Sequence, residues 1–311
     1  MKPLVTVIGI SYNHSSFIEA AVQSIFAQSY ENLEIILIDD ASKDDSIKTI
    51  QKNIRDKDIK VILHEKNLGY TKTFNEGLAL ATGEYIIDFA LDDKMKPDFV
   101  EKSVACFQNA SAKTGVVFSN ADYIDSQGQK IANHNEELFR KKMIRKVPFG
   151  DVFEWVLKRY FICTPTMVIK KEVFDRLGGY DEGLAYEDFD FWIRSSRHWE
   201  YAYVDEVLIE KRKLANSMSS KRYQHHFNEQ MNSVFKVCQK AFHLCKSKNE
   251  LRALRKRINF EFRQCLRTGN VLLAEDYKQL MRDTGSRISF ISRFGRKINR
   301  SMFPFMKSRF E

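Results

Sequence analysis

The sequence has little cysteine and no long apolar run. Its five cysteines are scattered and have no paired zinc spacing: Cys106, Cys163, Cys238, Cys245 and Cys265. Because the number is odd and the spacing irregular, we expect reduced thiols rather than a disulfide framework or a zinc site. The absence of about 18 consecutive apolar residues argues against a transmembrane helix. The N-terminus also lacks the pattern of a signal peptide, so we expect a cytoplasmic protein.

Positive charge is unevenly distributed along the chain. The 311 residues carry a net charge of +9, and Lys and Arg are crowded between Lys211 and Arg309. Anionic lipids, anionic acceptors or nucleic acid would be attracted by such a surface, although a solvated charged face explains it equally well. Because no recognised nucleic-acid-binding motif accompanies the charge, we expect no nucleic-acid partner.

Strands and helices alternate along the first part of the chain. The β-branched apolar run at residues 4–10 predicts a strand buried on both faces, and a helical pattern follows in which Ser16 and Glu19 have capping-box spacing. Further strands are predicted at 33–38, 59–63, 84–89 and 115–119, and further helices at 45–54, 71–81 and 97–107. This alternation predicts an α/β fold with a mostly parallel sheet, whose ligands gather at the carboxyl ends of the strands.

The remainder of the chain is less regular. Residues 122–145 show no clear period and predict a loop or lid. A strand at 166–169 and a helix ending at Gly178 and Gly179 are expected next. Residues 186–198 then predict a helix in which Asp190 is spaced to pair with Arg194.

Beyond Lys221 the pattern is almost wholly helical, and no internal repeat is present. We therefore expect a catalytic domain at residues 1–219, followed by a basic helical extension at residues 220–311.

Polar residues cluster at the ends of the first two predicted strands. Ser11, Tyr12 and Asn13 follow the first strand, and Asp39 and Asp40 follow the second. A carboxylate at such an edge can accept hydrogen bonds from a base or a ribose, and an aromatic ring can stack on the base. The same residue types are common in turns, and local chemistry alone slightly favours that simpler interpretation.

Two further acidic pairs stand at element ends. Asp92 and Asp93 would repel each other without a cation, which indicates a site for a divalent metal and a diphosphate; a helix-entry turn is the alternative. Glu187 and Asp188 begin a predicted helix, where one of them could act as a general base towards an acceptor hydroxyl. Favourable placement of acids in a first helical turn explains this second pair equally well.

Taken together, these motifs resemble the family 2 glycosyltransferases, inverting enzymes with the GT-A fold. The resemblance covers residues 3–219 and rests on the order and spacing of six stretches: VTVIGISYN, LEIILIDDASKDDS, NLGYTKTFNEGLALATGEYI, FALDD, GGYDEGLAYEDFDFWIR and KRKLANSMS.

The resemblance implies a role for each matching residue. Asp188 corresponds to the catalytic base, with Glu187 and Trp192 on the acceptor side. Asp93, with Asp92, corresponds to the ligands of Mn²⁺ or Mg²⁺. Donor binding is assigned to eight residues: Ser11, Tyr12, Asn13, Asp39, Asp40, Lys72, Asp92 and Arg212.

Two departures from the family pattern matter. Ala90 replaces the first carboxylate of the full acidic signature, which leaves one fewer oxygen near the phosphates. Leu214 stands where a histidine is frequent, and it can bind neither metal nor phosphate. Arg212 retains a cation that could pair with a diphosphate, and Lys211 could add another.

The function implied by the resemblance is sugar transfer from a nucleoside diphosphate sugar, a UDP-sugar by expectation, to a glycan or a lipid-linked acceptor in surface polysaccharide assembly. A non-catalytic sugar-nucleotide or glycan-binding subunit is the main alternative. The basic and aromatic residues at 287–310 suit an interfacial helix on the cytoplasmic face of an anionic membrane. Packing on the catalytic domain, or on another subunit in a homo-oligomer, explains them equally well.

Overall fold

The computed structural model describes residues 2–55, 57, 59–214 and 229–285. The chain forms two compact units, Met1–Ser220 and Lys221–Glu311. The basic segment at 287–310, for which membrane contact was predicted, lies outside the described residues.

One mixed sheet of nine strands organises the described part of the first unit. Its strands run in the order β3-β2-β1-β4-β8-β6-β9-β5, with β7 paired to β6. The pairs β3–β2, β2–β1, β1–β4 and β6–β9 are parallel, whereas β8 is antiparallel to both β4 and β6. The strand bounds are β1 Val5–Ser11, β2 Leu33–Asp39, β3 Lys60–Leu63, β4 Tyr85–Ala90, β5 Lys94–Met95, β6 Thr114–Ile124, β7 Lys130–Asn133, β8 Val168–Lys170 and β9 Glu200–Arg212.

Helices connect these strands and make up the described part of the second unit. In the first unit they are α1 Ser15–Phe26, α2 Ser46–Asn53, α3 Tyr70–Leu80, α4 Phe99–Asn109, α5 His134–Arg140, α6 Phe153–Lys158, α7 Lys171–Leu177 and α8 Glu187–Ser195. In the second unit they are α9 Glu229–Leu244, α10 Lys248–Arg267 and α11 Val271–Asp283. None of the helices in the described ranges is long and apolar enough to cross a membrane.

The strand register determines where the polar residues fall. In the parallel ladder Ser11 pairs with Asp39, and Ile10 pairs with Ala90 on the other side of β1. All seven residues of β1 are buried, as expected for a central strand covered on both faces. The polar residues that follow β1, β2 and β4 are therefore brought to one edge of the sheet.

The prediction of a loop or lid at residues 122–145 is wrong in part. Strand β6 continues to Ile124, and β7 and α5 follow within the same segment. Asn133 caps α5 by accepting a hydrogen bond from the backbone N–H of Glu136. The turn of this β6–β7 hairpin and the start of β7 are exposed at residues 126–127 and 129–131, and the polar residues there obscure the alternation expected of a strand.

The capping box predicted for the first helix is also wrong. Helix α1 begins at Ser15, so Ser16 lies inside it, and the N-cap residue His14 makes no side-chain capping bond. The start of the helix is held from the loop between β2 and α2 instead, because Asp44 accepts from the backbone N–H of Ser15 at 3.0 Å. The predicted pairing of Asp190 with Arg194 is present, with Nε to Oδ2 at 2.5 Å.

Helix α3 packs against the sheet through a glycine. A Cβ added at Gly77 would lie 2.6 Å from Cγ2 of Ile8 and 3.0 Å from Cδ1 of Ile38. We expect Gly77→Ala to lower the free energy of unfolding by about 1–2 kcal/mol, because overpacking outweighs the roughly 1 kcal/mol gained in helix propensity. Urea unfolding measures the change.

The matched control is Ala79→Gly on the exposed side of the same helix. It should cost about 1 kcal/mol through helix propensity alone. If Gly77→Ala instead stabilised the protein by a similar amount, close packing of α3 on the sheet would be disproved.

Candidate active site

Asp39 organises the loop between β2 and α2. Its side chain is fully buried and accepts hydrogen bonds from Ser11 Oγ at 2.6 Å, from Ser42 N at 2.8 Å and from Ser42 Oγ at 2.6 Å. These contacts join the ends of β1 and β2. Asp39 and Ser11 therefore hold the ends of β1 and β2 together through a buried hydrogen bond.

Asn13 ties the same two loops together from the outside. Its backbone is left-handed, with φ 57°, and its N–H donates to Ser42 Oγ at 2.8 Å. Its side-chain oxygen accepts from the N–H of Lys43 at 2.8 Å. The side-chain oxygen is thus engaged in the loop contact.

Asp40 is 3% exposed and directly precedes Ala41, which lines an open cavity. Its carboxylate accepts hydrogen bonds from the backbone N–H of Leu68 at 2.7 Å and of Gly69 at 3.0 Å, and from Nδ1 of His64 at 2.8 Å. The cavity has a volume of about 450 Å³, and Tyr12, 41% exposed, lies in its wall with His64. A flat ring and a carboxylate beside such a cavity can hold a planar base and its ribose.

Lys72 lies close to these contacts in sequence. Gly69, which donates to Asp40, is the N-cap residue of α3, and Lys72 is exposed within the first turn of that helix. The ammonium group of Lys72 is therefore accessible to an anionic ligand from solvent.

The acidic pair after β4 differs in environment. Asp93 is 3% exposed, whereas Asp92 is half-buried. Burial, and then the charge of Asp92, raise the pKa of Asp93 to about 8. Asp93 Oδ1 accepts the backbone N–H of Arg212 at 2.7 Å, and within the described residues Oδ2 accepts no hydrogen bond.

Arg212 differs from its predicted role at the diphosphate. Its Nε donates to the backbone oxygen of Asp92 at 2.9 Å, its Nη1 donates to the backbone oxygen of Asp125, and the guanidinium lies 4.5 Å from the centroid of the Phe17 ring. The side chain is 93% buried by these partners. The backbone oxygens of Asp92 and Asp125, which follow β4 and β6, thus hold the guanidinium inwards, and Arg212 fixes the backbone of the acidic loop.

Lys211 is the cation that faces the acidic groups. Burial lowers the pKa of its ammonium, but the acidic groups of Cys163, Asp93 and Asp188 outweigh that effect and raise the pKa. Successive residues of a strand point to opposite faces, which explains why Lys211 and its neighbour Arg212 have different partners.

Glu187 and Asp188 occupy the first turn of α8. Asp188 Oδ2 accepts a hydrogen bond from Thr164 Oγ1 at 2.9 Å. Burial, followed by the charges of Asp188 and Asp88, raises the pKa of Glu187 to about 8. Since Lys211 interacts with both Asp93 and Asp188, the start of α8 and the end of β4 belong to one site.

A third acidic element, not predicted from the sequence, lies beneath this site. Asp88 on β4 accepts hydrogen bonds from Tyr70 Oη at 2.7 Å and from Tyr180 Oη at 2.9 Å. Burial raises its pKa to about 7, although the two tyrosine hydroxyls lower it. The signal was a single carboxylate inside the apolar strand YIIDFA, a position where a charge requires buried partners.

Trp192 was predicted on the acceptor side, and the structure places it in the core instead. It is 2% exposed, and its Nε1 donates to Met167 Sδ at 3.3 Å. Its position on α8 explains the difference, because the apolar face of this helix packs inwards while its first turn carries the acidic pair.

Comparison with known proteins places these features in a family. The family model described as glycosyl transferase family 2 matches residues 6–178. An uncharacterized glycosyltransferase of Haemophilus influenzae is 31% identical over 232 residues, which are 73% of this chain and 70% of that protein. TuaG of Bacillus subtilis, a putative teichuronic acid biosynthesis glycosyltransferase, is 30% identical over 71% of this chain and 84% of its own length.

Solved structures share the fold at low sequence identity. TarS of S. aureus in complex with UDP-GlcNAc has a TM-score of 0.64 and 16% identity, over 83% of this chain and 72% of that chain. The mannosyltransferase PcManGT of Pyrobaculum calidifontis, in complex with GDP-Man and Mn²⁺, has a TM-score of 0.63 and 15% identity, over 99% and 83%. These matches confirm the predicted GT-A fold. The family model covers more than half of the sequence and the H. influenzae relative exceeds 30% identity, and so this chain belongs to glycosyl transferase family 2.

Proposed function

We propose that this glycosyltransferase moves a sugar from a UDP-sugar to a hydroxyl of a glycan or lipid-linked acceptor, with inversion at the anomeric carbon. The observation that carries the proposal is that the charges of Asp93 and Asp188 both act on Lys211 and raise the pKa of its ammonium. The acidic end of β4 and the acidic first turn of α8 are thus coupled to the same cation. These are the two parts that an in-line displacement needs, one at the leaving group and one at the attacking hydroxyl.

Two relatives motivate the choice of substrates. TarS, which shares the fold, was solved with UDP-GlcNAc and with UDP, and the name of TuaG refers to teichuronic acid biosynthesis. In this chain Tyr12 would stack on the base, and Asp40 would accept a hydrogen bond from the base or the ribose. On the same ground we propose that the transfer belongs to surface polysaccharide assembly.

The acidic end of β4 fits a divalent cation that is shared with a substrate. The described residues contain no group of three or more His, Cys, Asp and Glu that could hold a metal alone. Mg²⁺ and Mn²⁺ sites of nucleotide enzymes use one or two carboxylates and complete the shell with phosphate oxygens and water. Asp93 Oδ2 and the carboxylate of Asp92 would hold the ion, which would neutralise charge on the departing diphosphate.

Asp188 would act as the general base. Thr164 Oγ1 fixes one carboxylate oxygen at 2.9 Å, and the carboxylate would take the proton of the acceptor hydroxyl as its oxygen attacks the anomeric carbon. The bond between that carbon and the diphosphate oxygen breaks on the opposite side. Burial raises the pKa of Glu187, and in its protonated form Glu187 would donate a hydrogen bond to a sugar or acceptor hydroxyl.

The alternative is a sugar-nucleotide or glycan-binding subunit that keeps the fold without turnover. Ala90 and Leu214 motivate it, because each removes a group that the family often has near the phosphates. Binding of UDP without donor hydrolysis or transfer to any acceptor would favour this alternative.

We expect Asp188→Asn to lower kcat for donor hydrolysis or transfer by about 10²–10⁴-fold, because the amide cannot accept the proton. UDP affinity should be retained, since the substitution leaves the nucleotide cavity unchanged. Release of UDP from UDP-sugars measures the rate, and isothermal titration calorimetry measures the affinity. Asp175→Asn on the exposed part of α7 is the matched control, and an unaltered rate in Asp188→Asn would exclude Asp188 as the base.

We expect Mn²⁺ to increase the thermal stabilisation of the wild-type protein by UDP, because a metal shared with the diphosphate couples the two ligands. At about 100 times its Kd a ligand adds roughly 2.7 kcal/mol of apparent stability. Asp93→Asn should abolish the increment from Mn²⁺. Equal shifts with Mn²⁺ and with EDTA in the wild type would contradict metal binding at this pair.

A further inference from the structure

His64 joins two carboxylates that come from different elements. Its Nδ1 lies 2.8 Å from Oδ1 of Asp40, at the end of β2, and its Nε2 lies 2.9 Å from Oε2 of Glu76 on α3. The side chain of His64 is only 7% exposed. Both nitrogens of the ring are therefore used by protein groups, in the wall of the cavity proposed for the nucleotide.

The chemistry of the partners determines the charge of this ring. A neutral imidazole has one N–H donor and one acceptor nitrogen, whereas an ionised carboxylate can only accept. Hydrogen bonds to two carboxylates therefore require a proton on each nitrogen. Burial lowers the pKa of His64, but the hydrogen bonds to Asp40 and Glu76 outweigh it and raise the pKa above its ordinary value.

The carboxylate of Asp40 is oriented by three donors. Besides His64 it accepts the backbone N–H groups of Leu68 and Gly69. A carboxylate has about four lone-pair positions, so these contacts leave capacity for one further donor, such as a ribose hydroxyl or a base N–H. A change in the ring of His64 would free Asp40 to rotate away from that ligand.

We propose that His64 is a positioning residue, held as an imidazolium between Asp40 and Glu76, which fixes Asp40 for the donor nucleotide and makes nucleotide affinity fall as pH rises. The inference rests on the proposed function, because it assigns the cavity to the nucleotide. The other charged residues lining the cavity are Lys43, Glu65 and Lys66. Histidine is the side chain whose charge ordinarily changes between pH 5 and 8. Because burial raises the pKa values of Asp88 and Asp93 into a similar range, the part of the pH dependence that is lost in His64 variants is the part assigned to His64.

The sign follows from the raised pKa. Below the ordinary pKa of histidine the ring is charged whether or not the site is assembled, and both hydrogen bonds are present. As pH rises through the raised pKa, the ring loses one proton and one of its two carboxylate contacts becomes repulsive. UDP affinity should therefore be highest at acidic to neutral pH and decrease on the alkaline side.

The test is UDP binding to the full chain by isothermal titration calorimetry between pH 6 and 8.5, a range chosen around the titration of histidine. His64→Asn places an amide N–H where Nδ1 lies, so much of the UDP affinity should be kept. The part of its pH dependence that comes from titration of His64 should be absent. His64→Gln places the amide nearer to Glu76 and should weaken UDP binding about tenfold at pH 6, as loss of a charged hydrogen bond does. UDP itself titrates identically with every variant, so differences between proteins report on His64.

Glu76→Gln tests the charge without removing the acceptor. Its amide oxygen can still accept from Nε2, but the ring loses a negative partner, so the decrease in affinity should move to lower pH. Glu172→Gln on the exposed part of α7, outside the cavity, is the matched control and should leave the profile of the wild type unchanged. Nitrogen NMR of the wild-type imidazole should show protons on both ring nitrogens at pH 7.

The possible results separate the two proposals. UDP binding with the same pH profile in wild type and His64→Asn, or a neutral ring at pH 7, would overturn the role of His64 alone. No UDP binding by the wild type at any pH would overturn the proposed nucleotide cavity, and with it this inference. If the His64 variants unfold, the shift in the Glu76→Gln profile decides the question.

Discussion

The parallel pairing of β1 with β2 and β4 is the constraint on which the active site depends. Because the three strands run in the same direction and in matched register, the residues that follow each of them meet at one edge of the sheet. A shift of one residue would exchange the two faces of a strand and bury its polar end elsewhere. The complete burial of β1 prevents such a shift, since each alternate residue already packs against a helix layer.

Electrostatic repulsion is the second organising force. Burial raises the pKa of Asp88, Asp93 and Glu187, so the candidate site contains carboxyl groups that resist ionisation. Lys211 partly compensates, and the tyrosine hydroxyls that reach Asp88 do the same by hydrogen bonding. A bound cation, or hydroxyl groups that donate hydrogen bonds, would stabilise the ionised form of these carboxyl groups. Both are supplied by a metal-bound sugar donor under the proposed function.

Much of the fold was accessible from sequence because the first four parallel strands are short apolar runs followed by amphipathic helices. The family assignment and the GT-A fold were predicted and are confirmed. Strand β9 was missed because its mixture of charged and apolar residues, EYAYVDEVLIEKR, has no clean alternation; pairing with β6 defines it. Local pattern cannot report such long-range pairing.

Among the site residues, too, some positions could be predicted from local sequence and others depend on long-range contacts. Tyr12, Asp40, Asp93 and Asp188 all stand at element ends, where the sequence placed them, and their roles remain predictions. The sequence could not show where the side chains of Arg212 and Trp192 point. Arg212 donates to the backbone oxygen of Asp92 and Trp192 donates to Met167, and both partners are brought close only by the folded chain. The contact of His64 with Glu76 was likewise invisible, since it joins two elements that the turn at Gly69 brings together.

Arg212 has a further consequence for the order in which the chain folds. Its guanidinium and backbone hold Asp92, Asp93 and Asp125, which are 120, 119 and 87 residues earlier in the chain. Contacts over such separations require closure of long loops and form late, whereas the β1–β2–β3 edge, with the cavity proposed for the nucleotide, needs only the first part of the chain. During synthesis the cavity can therefore assemble well before the acidic loop is fixed. Addition of β9, the last strand in chain order, completes the site.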